Sequence, residues 1–264
     1  MAIFKYEMRQ LRSHIVWWGL GVSAFIFFAL PMYMSFMTSD VIDISVIENT
    51  GFFDMWGFDI AILTTPLGTL GYLTSFLAII AGINGLFLGL QTFTKETVQK
   101  SAEFIYTKPY KRSNIFCTKV LSALIAMIII GAFYYIGAML SAIINIEGGF
   151  DFKTASLIAL SFMLIGIFFV LFGAFIGVIY SKIRTPLLLS AGVVFMFYVL
   201  SSFANKMGLI EVMYLTPFSY FNAGKIIMNG GFDSGYMTAF AVLCTLFAVV
   251  GLCIFVKKDI EFIS

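Results

Sequence analysis

Residues 154–181 read TASLIALSFMLIGIFFVLFGAFIGVIYS, twenty-eight positions without Asp, Glu, Lys, Arg or His. About 20 apolar residues in an α-helix cross the ~30 Å of hydrocarbon in a bilayer, so this stretch is long enough to span one. Lipid offers the backbone no hydrogen-bond partner, which restricts a spanning segment to a helix or to a strand of a closed barrel. Barrel strands are segments of about 10 residues that alternate apolar and polar. This run is continuous, so it reads as a helix.

Five more charge-free runs follow the same rule: Ile15–Ser39, Ile60–Thr94, Val120–Ile146, Thr185–Asn205 and Ser234–Val256. The expected spans are about 15–39, 67–94, 120–146, 154–181, 185–205 and 234–256. Composition agrees, with 61% hydrophobic and 11% charged residues, against about 45–50% and about 25% in soluble domains. So much apolar material does not fit inside one soluble core of this size. The first run follows Lys5, Arg9 and Arg12 as a signal peptide would, but its 25 residues exceed a usual signal core. No A-x-A-like cleavage site follows it, so a span is expected rather than a leader. The fold class is therefore all-α integral membrane, with six transmembrane helices and residues 1–264 as one domain.

Positive charge in short loops sets orientation. With the N-terminus inside, thirteen of the sixteen Lys and Arg fall in inner segments and nine of the fourteen acidic residues fall outside. Missing one helix would scramble this bias, so it also supports the count of six. Both termini are thus expected in the cytoplasm, with the chain a multi-pass protein of the plasma membrane. The outer segment 40–59 places Asp40, Asp43, Glu48, Asp54 and Asp59 among Phe52, Phe53, Trp56 and Phe58, as an interfacial aromatic belt or a vestibule would. The segment 206–233, with Pro217 in its apolar part, is too short to span twice and reads as a half-inserted or surface-lying hairpin.

Two inner segments carry pattern. In 2–14, Phe4, Met8, Leu11 and Ile15 share one helical face beside a stripe of Lys5, Arg9 and Arg12. An N-terminal amphipathic helix on the membrane surface is expected there. In 95–119, Glu96, Lys100 and Glu103 share a face opposite Val98, Ala102 and Ile105, and Glu96 precedes Lys100 in the favourable i, i+4 order. A short amphipathic helix is expected, ended by Pro109. Lys108, Lys111, Arg112 and Lys119 then add positive charge near the headgroups. This segment is either a solvated loop or a docking element for a partner.

Several chemistries lack their residues. No phosphate loop exists, since the one Gly-Lys pair, Gly224–Lys225, is followed by Ile226. There is no H-E-x-x-H, nucleophile elbow or catalytic carboxylate pair, which disfavours a membrane-embedded enzyme. The apolar runs hold no Asp, Glu, Lys or Arg, which disfavours an autonomous ion-coupled carrier. His14 is alone, and Cys117, Cys244 and Cys253 have no metal-type spacing. No basic, aromatic-interleaved surface suggests nucleic acid. Asn84, Gln91 and Asn145 are the mild polar groups of the spans. Asn84 either bonds a neighbouring helix or lines a pathway. Gly85-xxx-Gly89 and Gly173-xxx-Gly177 permit close helix approach, a pattern common by chance in apolar sequence.

Glu96, Ser101, Glu103, Phe104, Pro109 and Arg112 follow in type and spacing the signature of ABC-2 type transporter permeases, which the chain resembles. Lys100 stands where that pattern has Gly, and Ser101 where it has Thr. Thr216–Phe221 is similar to the family's Pro-aromatic stretch before the last span, and Lys257–Ile260 to its basic ending. The resemblance implies a permease subunit of an ATP-driven exporter. Its helix near 96–105 would couple to a separate ATPase subunit, through Glu96, Lys100, Ser101, Glu103, Phe104, Pro109 and Arg112. It also implies a second permease, identical or different, completing the pathway in contact with membrane lipid. ATP and Mg would be bound by the partner ATPase and no cofactor by this chain. The rival expectation is a membrane module that binds a partner and transports nothing, such as an immunity or sensor subunit.

Overall fold

The computed structural model describes residues 2–37, 65–98, 111–146, 151–180 and 182–257. Its elements, in chain order, are α1 (Ala2–Met37), α2 (Pro66–Val98), α3 (Arg112–Asn145), α4 (Phe152–Ile179) and α5 (Pro186–Met207). They are followed by α6 (Ile210–Met213), α7 (Pro217–Tyr220), α8 (Ala223–Asn229) and α9 (Ser234–Lys257). The six long helices α1 to α5 and α9 are each long and apolar enough to cross a membrane, and no strand occurs among the described residues. The all-α, six-span class expected from the charge-free runs is the architecture observed. The segment expected as a hairpin before the last span holds the three short helices α6 to α8. The acidic, aromatic segment 40–59 lies outside the described residues.

Three helices overrun their apolar runs at one end of the bundle. Residues 2–14 form no separate surface helix but the first turns of α1, which is unbroken over 36 residues. At 1.5 Å per residue it is about 54 Å long, nearly twice the hydrocarbon thickness. No Gly or Pro lies between Ala2 and Trp18 to break it. Residues 96–98 likewise continue α2 rather than open a new helix. Lys95 in that last turn suits the negative end of the helix dipole. Helix α3 starts at Arg112, well before the charge-free run at Val120.

Lipid tails are as apolar as Leu, so apolar side chains alone do not hold membrane helices together; close packing and interhelical hydrogen bonds do. The tightest pair here is α2 against α4. A Cβ on Gly85 would run into the carbonyl oxygen of Gly166, and one on Gly89 into that of Val170. A Cβ on Gly173 would lie 2.5 Å from Leu86 O and one on Gly177 3.1 Å from Leu90 O. The two small-xxx-small patterns therefore face each other, and backbone meets backbone.

Helix α1 packs on α3, where Ser141 Oγ donates to Phe27 O at 2.9 Å. Tyr134, fully buried, stacks on Phe162 with ring centres 4.2 Å apart and shares a 2.7 Å hydrogen bond with Thr74 Oγ1. It thus ties α2, α3 and α4 together. Helices α5 and α9 lie on the periphery. In α9 Gly251 alone is buried, and Leu188, Phe195, Met196, Val242 and Val249 are exposed.

Candidate functional site

At one end of the bundle, the N-termini of α1 and α3 meet the C-termini of α2, α4 and α9. Glu7 on α1 is 2% exposed and Lys119 on α3 is fully buried. Glu7 Oε2 pairs with Lys95 Nζ at the end of α2, and Glu7 Oε1 lies 3.8 Å from Lys119 Nζ. Lys119 Nζ also donates to Thr92 O at 3.0 Å and sits 5.7 Å from the centre of the Phe93 ring. Lys95 donates further to Gln10 Oε1 at 2.7 Å. A charge taken out of water is costly unless paired and hydrogen-bonded, and each of these side chains meets that condition.

Beside this cluster, Phe93, Phe116 and Phe255 form an aromatic contact among α2, α3 and α9, with ring centres 5.4–5.7 Å apart. Arg112, the first residue of α3, donates to Val256 O on α9 at 3.3 Å. Of the expected coupling residues, Arg112 therefore fastens α3 to the last span. Glu96 lies in the last turn of α2, its side chain outside the described residues, as are Lys100, Ser101, Glu103, Phe104 and Pro109 altogether. Lys119 corrects an expectation: it does not reach the headgroups but is enclosed by Glu7, Thr92 and Phe93. No sequence signal marks Glu7, because its partners lie 88 and 112 positions away in the chain.

Two helical turns further along α1 is His14, whose Nε2 donates a 3.1 Å hydrogen bond to Asn84 Oδ1 on α2. Asn84 is 3% exposed. The His14 ring stacks on Phe87, 5.6 Å away, and tilts against Trp18. Asn84 thus joins two helices; its Nδ2 has no hydrogen-bond partner among the described residues. Among the described residues no group of three or more His, Cys, Asp or Glu could hold a metal ion.

The opposite end carries the short helices. Pro217 sits at the start of α7, where its missing N–H costs no helical bond. Phe218, on α7, wedges between Phe169 and Tyr198, with ring centres 5.6 and 5.3 Å away. Fully buried Ser219 shares hydrogen bonds with Ser201 at 2.7 Å and with Thr216 at 2.8 Å. Next to this network is a cavity of about 40 Å³ lined by Ser75, Tyr198, Ser201, Asn205, Phe218 and Asn222 among others. That is room for a few water molecules. Burial raises the Tyr220 phenol to about 12, and its hydroxyl donates to Tyr214 O. Burial lowers the Lys225 ammonium below its usual range, with nearby Asp233 opposing the shift; Lys225 lies over the Tyr236 ring.

The bundle thus combines six apolar helices, a buried ionic cluster at one end and a polar, aromatic group of short helices at the other. A family model described as ABC-2 family transporter protein matches residues 1–260. The chain belongs to the ABC-2 transporter family. A comparison with curated proteins gave no match. Family membership makes the chain a multi-pass membrane component of an ABC transporter, the transport component rather than the ATPase. Association with an ABC ATPase follows from membership. The Glu7 cluster lies at both roots of the connection between α2 and α3.

Proposed function

We propose that this chain is the permease subunit of an ATP-driven ABC exporter. It forms the translocation pathway with a second permease and couples through residues 95–112 to a separate ATPase, which binds ATP and Mg. The match of the family model over residues 1–260 carries this reading. Its support is threefold. The segment 99–111 joins two of the longest spans, so movement imposed on it reaches both helices. The segments assigned to that side of the bundle carry thirteen of the sixteen Lys and Arg, as a cytoplasmic face does. The exposed apolar sides of α1, α5 and α9 leave surface for a second permease as well as for lipid.

The mechanism this supports is indirect. The ATPase dimer closes on ATP, the 95–112 segments follow, and the spans exchange inward for outward access. Purification of the detergent-solubilised protein from its native membrane, followed by mass spectrometry, tests the reading. Recovery of a stoichiometric ATP-binding cassette subunit, lost on Glu103→Arg, is the expected result. Recovery of the chain alone, or with a partner lacking a phosphate loop, would establish a non-transporting partner-binding module instead.

A further inference from the structure

We infer that Glu7 is a positioning residue of the permease, one that makes α1 part of the coupling apparatus. The inference rests on the coupling reading above and extends it to a helix that the 95–112 segment does not contain. Among the described residues, Glu7 is the carboxylate that touches both roots of the α2–α3 connection. One oxygen holds Lys95, in the last turn of α2 on the near side. The other faces Lys119, two turns into α3 on the far side. Displacement of either root therefore acts on α1 through a charged contact.

Burial makes this contact directional. Lys119 is fully enclosed and cannot exchange Glu7 for water, while Lys95, whose side chain is 13% exposed, can. Lys119 Nζ is also fixed to Thr92 O on α2, so α2 and α3 are tied independently of Glu7. Removing Glu7 thus takes away the ionic tie of α1 to the pair without separating the pair. The continuity of α1 then matters: the same unbroken helix carries His14 against Asn84 and Ser23 against Gly137. A shift at Glu7 is delivered along α1 to these contacts at His14 and Ser23.

The test uses the permease–ATPase complex in lipid nanodiscs and compares wild type, Glu7→Gln, Lys119→Met and the double variant of the two; Lys119→Met alone reports the loss of the Thr92 bond that the double variant shares. In the double variant the fully buried ammonium is gone, and the partly exposed Lys95 keeps Gln10, which guards against simple misfolding. Expected is that ATPase stoichiometry, thermal midpoint and the KM for ATP stay at wild-type values in the double variant. Its kcat for ATP hydrolysis falls about tenfold below both wild type and Lys119→Met, within the ~5–150-fold range of coupling between sites. A double variant that hydrolyses ATP at the wild-type rate would overturn the inference and reduce the cluster to a fastening. Loss of the ATPase from the double variant would overturn it too, making the cluster a support that the docking segment needs in order to hold its partner. Absence of the ATPase from the wild-type preparation would instead sink the exporter reading itself.

Discussion

At Gly89 a single hydrogen does the work of a side chain. A methyl group there would meet the carbonyl oxygen of Val170, with Ala174 N only 2.7 Å away, and neither backbone atom has a rotamer to yield. Gly89→Ala should therefore push α2 off α4 and cost about 1–3 kcal/mol, the usual penalty of overpacking. Gly192 on α5 is the control, because nothing lies within 4 Å of the position a methyl group would take there. Gly192→Ala should hold or slightly raise stability, by less than about 1 kcal/mol. Thermal unfolding of the solubilised protein, followed by intrinsic fluorescence, separates the two. A Gly89→Ala protein as stable as wild type would mean that the helices have slack at their closest point. Sequence alone nominates these glycines but does not pair them, since small-xxx-small spacing recurs throughout an apolar chain. What identifies the facing pair is the carbonyl opposite each glycine, and that is a property of two elements.

At the scale of elements, the ends carry the information that hydropathy misses. A charge-free window treats every Lys or Glu as a boundary, so it begins α3 at Val120 and ends α2 at Thr94. The helices instead run on to Arg112 and Val98, because Lys119 and Lys95 meet Glu7 rather than water. The middles of the six spans are legible because burial in lipid demands only apolar length. The ionic cluster is not, because it depends on three side chains from three helices. The end of α4 that faces away from this cluster is simpler: Asp151 caps it from within four residues. Its Oδ1 accepts from Lys153 N at 3.0 Å and Thr154 N at 3.4 Å, and Thr154 Oγ1 donates to Oδ2 at 2.5 Å. The Thr154 hydroxyl, then the Thr154 amide, holds the Asp151 carboxyl below its usual range. A carboxyl lowered by folding stabilises the fold above its ordinary pKa, and that contribution fades as pH falls through the lowered value. Asp151→Asn keeps a capping oxygen but cannot titrate. The midpoint difference between wild type and Asp151→Asn should thus be constant from pH 7 to about 5 and shrink on further acidification. A difference that holds unchanged to about pH 2 would remove the titrating cap from the account.

For the whole molecule, the decisive quantity is which side each end faces. On the reading proposed above, the bias of Lys and Arg puts the end with Glu7, Arg112 and Lys257 in the cytoplasm and the end with α6 to α8 outside. This assignment is independent of the family match, because it uses only loop charge and an even number of crossings. It can be checked with cysteines placed on either side of the last span, in a background where Cys117, Cys244 and Cys253 are replaced by Ser. Asn229 and Lys257 are both exposed and are separated by α9. In intact cells a membrane-impermeant maleimide should label Asn229→Cys and leave Lys257→Cys untouched until the membrane is permeabilised. Labelling of Lys257→Cys alone would invert the molecule, placing the α2–α3 connection outside, beyond the reach of any cytoplasmic ATPase. Labelling of both would mean that α9 lies along the membrane rather than across it. Helix α9 is held to the bundle along one side, where Phe240 and Phe247 pack on Phe168, Phe172 and Phe175 of α4. Near that end Phe255 of α9 meets Phe93 and Phe116, and Arg112 bonds Val256 O, so the last span is fastened to the roots of the α2–α3 connection.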